Sequence, residues 1–89
     1  MLEPQALDDL ERNVAIVELK TTTAEAAYHP DEATLSSAAR LAKTIEHTLL
    51  AERPTEKSLA VPLLFSLKIR VSAALDRLGR LRVARSNRK

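Results

Sequence analysis

No cysteine occurs in the chain, which excludes disulfide staples and cysteine-based zinc sites and accords with a reducing compartment. Tryptophan is absent, and Tyr28 and Phe65 are the only aromatic residues, too few for a platform that stacks bases. One glycine, Gly79, cannot build a phosphate-cradling loop. Nowhere does an apolar run approach the roughly 18 to 20 residues that cross a bilayer, and Met1-Leu2-Glu3-Pro4 lacks the cationic flank and apolar stretch of a signal peptide. A soluble, cytoplasmic protein with no membrane association is expected. The two histidines, His29 and His47, stand eighteen residues apart with no second ligand at a metal-site spacing. Asp8, Asp9 and Glu11 read as acids that solvate the early part of a helix, and Ser36 and Ser37 have no base beside them. No metal, no cofactor, no small-molecule substrate and no enzyme activity are therefore expected.

What remains is rich in Ala, Leu, Arg and Glu, residues that cost little in a helix, and 89 residues fit one small domain without a large internal cavity. The expected fold is all-α, a three-helix chain with a helical hairpin core. Leu7, Leu10, Val14, Val17, Thr21, Ala24 and Tyr28 recur at spacings of three and four, one stripe of a helix about 37 Å long from Pro4 to Tyr28. The β-branched run Thr21-Thr22-Thr23 threatens a local bend, and His29-Pro30 stops the helix because the residue before proline avoids helical backbone. A second helix should start at Pro30 or Asp31, with Asp31 and Glu32 at the positive end of its dipole, and run to about Glu52. Its stripe is Leu35, Ala38, Leu41 or Ala42, Ile45 and Leu49, while Arg40, Lys43 and His47 point to solvent. After a break at Arg53-Pro54-Thr55, a third helix starts between Thr55 and Ser58 and continues to about Val83 on Leu64, Leu67, Val71, Ala74, Leu75, Leu78 and Leu81. Pro62 either falls in the first turns, with Ser58 as cap, or kinks a helix begun at Thr55; Leu59 to Leu64 as a short extended segment is the alternative. Residues 1–83 then form a single helical domain and 84–89 a basic tail.

Four apolar residues stand off these stripes. Ile16 and Leu19 do so on the first helix, and Phe65 and Ile69, one turn apart, on the third. One seam per helix leaves all four exposed, so a subunit interface in a homo-oligomer is expected, against the simpler account of a wider arc that touches two neighbours.

Charge is distributed unevenly along the chain. Residues 1–52 hold ten acids and four bases, a balance of −6, and residues 53–89 hold two acids and ten bases, +8, which together make the net +2. The final thirteen residues carry Arg77, Arg80, Arg82, Arg85, Arg88 and Lys89 and no acid. Cations at a helix C-terminus complement its dipole, which alone would account for some of them. Arginine's planar fork also suits phosphate, and with no interleaved aromatic these six would touch the backbone of double-stranded DNA, weakly and without sequence readout. Six such contacts give a log-log salt slope of about −5.

The stretch Leu35-Ser-Ser-Ala-Ala-Arg-Leu-Ala-Lys-Thr-Ile-Glu46, the break at Arg53-Pro54-Thr55 and Phe65-Ser-Leu-Lys-Ile-Arg-Val-Ser-Ala-Ala-Leu-Asp-Arg-Leu-Gly79 resemble the two-helix module of small terminase subunits of phages and gene-transfer particles. The resemblance spans about half the chain on an Ala/Leu/Arg pattern. It implies a ring-forming, non-catalytic DNA-packaging subunit that presents DNA to a large terminase ATPase-nuclease. No helix-turn-helix domain precedes the first helix, so DNA contact would fall to the six C-terminal cations. The alternative is a small helical protein-interaction module, a regulator, inhibitor or antitoxin, whose apolar faces bind a partner helix.

Overall fold

The computed structural model describes residues 4–51 and 60–87. These form α1 (Pro4–Ala26), α2 (Glu32–Ala51) and α3 (Ala60–Asn87), and no strand occurs among them. The helices run up, down and up. Leu10 and Val14 of α1, Ile45 of α2 and Leu64, Leu67 and Val71 of α3 form one layer of the core. Val17, Ala38 and Ala74 make a middle layer, and Ala24, Leu78 and Leu81 close the far end with Tyr28 and Leu35 against them. Alanines in the middle layer let the helices approach closely there. α3 packs along both other helices, whereas α1 and α2 meet each other less. The result is an elongated bundle of 53 × 19 × 16 Å, as expected when 28 residues of α3 alone rise about 42 Å. α1 lies against the hairpin of α2 and α3 and contributes Leu10, Val14, Val17, Thr21 and Ala24 to the buried interior.

Several boundaries differ from the sequence reading. α1 ends at Ala26, before His29-Pro30. Tyr28 adopts a left-handed backbone (φ 52°), its amide donates to the Glu25 carbonyl at 3.1 Å, and the His29 amide donates to the Ala24 carbonyl at 3.0 Å. This is the paired closure of a Schellman cap, built on a residue other than the usual glycine. α1 continues through the threonine run to Ala26, and the hydroxyls of Thr21, Thr22 and Thr23 donate to the carbonyls of Val17, Glu18 and Leu19, four residues earlier. No acid lies in the first turn of α1, so Asp8, Asp9 and Glu11 are exposed residues of later turns.

α2 begins at Glu32 because Asp31 caps it. Asp31 Oδ1 accepts the Thr34 amide at 3.2 Å and Oδ2 accepts the Thr34 hydroxyl at 2.7 Å, which satisfies a buried threonine and one orphan amide of the first turn together. These donors hold the Asp31 carboxyl below its ordinary value. The Arg53-Pro54-Thr55 break and the Ser58 cap lie outside the described residues. Pro62 is the third residue of α3, in the first turn, where its missing amide interrupts no helical bond. Residues 60–64 are helical, so an extended segment there is excluded. At the other end α3 does not stop at Val83 but continues to Asn87. No described helix is long and apolar enough to cross a membrane.

Candidate nucleic-acid and subunit interfaces

The folded chain brings the acids of its first half against the bases of its second. α1 and α3 run side by side in the same direction, so residues 52 apart in sequence become neighbours across the seam. Arg70 Nε donates to Glu18 Oε2 at 3.1 Å while its Nη2 donates to Oε1, a two-pronged pair between α3 and α1. Two turns on, Arg77 donates through Nε to Glu25 Oε1 at 3.1 Å and through Nη2 to both Glu25 and the Thr22 hydroxyl. The hydrogen bonds from Arg70 and Arg77 hold the carboxyls of Glu18 and Glu25 below the usual glutamate value, against a smaller opposing effect of burial, and raise both arginines.

Of the six C-terminal cations, four are described, and each has a partner on the protein itself. Arg77 belongs to the α1 seam. Arg80 Nη2 donates to Asp76 Oδ2 at 2.7 Å one turn back on its own helix. Arg82 Nε lies 3.2 Å from Glu32 Oε1 at the start of α2, and Arg85 Nη1 donates to the Tyr28 carbonyl at 3.1 Å, at the C-terminal cap of α1. Arg88 and Lys89 lie outside the described residues. The four are not equivalent in accessibility. Arg80 and Arg82 keep 73% and 60% of their side-chain surface in solvent, against 35% for Arg77. Exposed single pairs of this kind contribute about 0 to 1 kcal/mol, so a phosphate can displace Asp76 or Glu32 at little cost. Arg77, with three donated bonds across the seam, is committed to holding α3 on α1.

Ile16, Leu19, Phe65 and Ile69 are all exposed, at 44%, 69%, 51% and 68%. Two lie on α1 and two on α3. Ile16 opens onto a groove between α1 and α2, lined also by Leu10, Val17, Thr34 and Leu41 and by the cations Lys20 and Arg40. Leu19 lies over the α1–α2 turn beside Ala27 and His29. Phe65 and Ile69 sit on the face of α3 turned away from its core stripe, where Val83 continues the same line. Leu50 and Leu63 are further exposed apolar residues that the stripe reading did not single out.

Among the described residues no group of three His, Cys, Asp or Glu side chains is arranged to hold a metal ion. His29 and His47 are both exposed. The interhelical ion pairs were the part sequence reasoning missed; the signal was the charge asymmetry itself, read there as a binding surface. No protein-family model matches the chain, and neither a curated protein nor a solved structure matches it. The likeness to small terminase subunits therefore rests on the sequence patterns of residues 35–46, 53–55 and 65–79 alone.

Proposed function

We propose that this protein is a non-catalytic helical adaptor that self-associates through apolar faces left outside its core and gathers double-stranded DNA, without sequence preference, at the cationic end of α3. In the setting the resemblance implies, it is a small-terminase-like DNA-packaging subunit that works beside a large ATPase-nuclease. The observation that carries the reading is the pairing of a complete three-helix core with large apolar side chains still in solvent and with exposed arginines, Arg80 and Arg82, on the helix that leads to Arg88 and Lys89. DNA contact is assigned to those four rather than to all six cations. Four phosphate contacts correspond to a log-log salt slope of about −4, weak for one subunit and useful when several act together.

The partnering of every described C-terminal cation favours a second reading, a protein-interaction module in which these arginines serve the fold and the apolar faces take a partner helix. Retention on immobilised duplex DNA at low salt separates the two. Replacement of Arg80, Arg82, Arg88 and Lys89 by Gln abolishes retention without loss of helicity if the adaptor reading holds. Unchanged retention removes the basic end from it, and a parent chain that does not bind leaves the interaction module.

A further inference from the structure

Gly79 is a mid-helix glycine that nothing among the described residues requires. Its φ is not positive, and a methyl group added there would meet no atom of the described residues within 4 Å. Glycine in a helix interior is less favourable than alanine, so the missing side chain calls for a reason outside the monomer. The gap opens a shallow, mainly apolar groove on the outer face of α3, lined by Leu75, Asp76, Gly79, Arg80, Val83 and Ala84. Along the same face Phe65, Ile69, Ser72, Asp76, Gly79 and Val83 follow one another at spacings of four, three, four, three and four, the repeat of a helix that packs against another helix. Phe65, Ile69 and Val83 are all more than half exposed, so this second seam is empty in the monomer.

We propose that the occupant of this face is a second copy of the same chain, with the two α3 helices antiparallel and Gly79 serving as the hole for Ile69 of the other copy. The proposal rests on the self-association part of the functional reading and assigns it a surface. The stripe complements itself in one register. Setting Phe65 against Val83 of the second copy sets Ile69 against Gly79 and Ser72 against Asp76, and the two-fold axis repeats each layer at the opposite end. Large residues then meet smaller ones in the outer layers, as knobs meet holes. At the centre, the polar layers complement each other too. Asp76 Oδ2 accepts Arg80, while Oδ1 accepts no hydrogen bond among the described residues and is available to a serine hydroxyl. Small Ala73 flanks the axis and permits close approach. From Phe65 to Val83 the seam is about 27 Å long. A single two-helix seam of this length is small beside most specific interfaces, which suits a concentration-dependent dimer.

The absence of cysteine makes the register directly testable, because each introduced thiol is then the sole one in its chain. The full chain, and variants carrying Ala73→Cys or Phe65→Cys, are treated with a short bismaleimide at concentrations where sedimentation shows the dimer. Ala73 lies near the axis, so the Ala73→Cys variant should link two chains. Phe65 lies about 27 Å from its own mate in the antiparallel register, so the Phe65→Cys variant should not. Gly79→Leu and, separately, Ile69→Gln should each raise the dimer dissociation constant at least roughly tenfold with helicity unchanged. Linking in the Phe65→Cys variant and not in the Ala73→Cys variant overturns the antiparallel register. A dimer indifferent to Gly79→Leu and Ile69→Gln overturns the α3 surface while leaving self-association to Ile16 and Leu19. A chain that is monomeric at every concentration yet retains DNA overturns the pairing and leaves the basic end of the functional reading standing.

Discussion

Arg70 meets Glu18 with two separate nitrogens on two separate carboxylate oxygens, and the pair joins α3 to α1 beside the buried contact of Val71 with the core. Planar fork against planar carboxylate is the geometry in which an arginine cannot be exchanged for lysine without loss. Both side chains remain about one-third exposed, which limits the energy of the pair. A double-mutant cycle with Arg70→Gln and Glu18→Gln, followed by urea unfolding, should give a coupling of about 0.5 to 1 kcal/mol, at the upper end for surface pairs. Arg70→Lys should recover less than half of it.

Acid should weaken the bundle through the same carboxylates. Glu18, Glu25 and Asp31 all have folded-state values below their ordinary ones, held there by Arg70, by Arg77 and by Thr34 respectively. A depressed carboxylate contributes stability that is fully present above its unfolded value and disappears as pH falls through the folded one. Thermal midpoints should therefore be level above about pH 5 and fall progressively below the ordinary glutamate value of 4.5. Glu18→Gln with Glu25→Gln should flatten that slope, and a slope unchanged by the pair of substitutions would place the acid sensitivity elsewhere.

Core substitutions should rank by burial and not by hydrophobicity alone. Ile45 and Leu64 are fully buried and share a layer with Val14, whereas Leu50 is almost wholly exposed. Leu64→Ala should cost about 2 to 5 kcal/mol and Ile45→Val about 0.5 to 1.5 kcal/mol, with Leu50→Ala within about 0.5 kcal/mol of the parent. Thr21 is a sharper case. Its buried hydroxyl donates to the Val17 carbonyl, which the helix already satisfies, so Thr21→Val keeps the shape and orphans nothing. Chemical denaturation should find it neutral or slightly stabilising.

Much of this interior was legible in the sequence because a helix stripe is a local pattern. Leu10, Val14, Val17, Thr21 and Ala24, then Ala38 and Ile45, then Leu64, Leu67, Val71, Ala74, Leu78 and Leu81 are both buried and periodic. Thr34 escaped that reading because a polar residue at a helix start signals exposure, and its burial depends on Asp31 taking its hydroxyl. The end of α1 escaped because Tyr28 enters the left-handed region in place of glycine, two residues before the proline expected to stop the helix. The charge asymmetry was visible but its use was not. Which acids meet which arginines depends on the parallel course of α1 and α3, a relation between residues 52 apart that no local spacing encodes.

The arginines near the C-terminus should divide by role. Arg77→Gln removes three donated bonds across the α1 seam and should lower stability, by less than about 1 kcal/mol given its partial exposure, with little effect on DNA retention. Arg80→Gln with Arg82→Gln should do the reverse, leaving the unfolding midpoint nearly unchanged and reducing the magnitude of the salt slope by about 2. Parallel denaturation and salt-titrated DNA binding on the two variants would show the division; equal effects on both would dissolve it.

The measurement closest to the central claim is the solution mass by light scattering after size-exclusion chromatography, over a range of concentrations, with and without duplex DNA at low salt. The adaptor account predicts a defined assembly larger than a monomer that co-elutes with DNA and releases it as salt rises. A monomer at all concentrations that elutes apart from the DNA would contradict it.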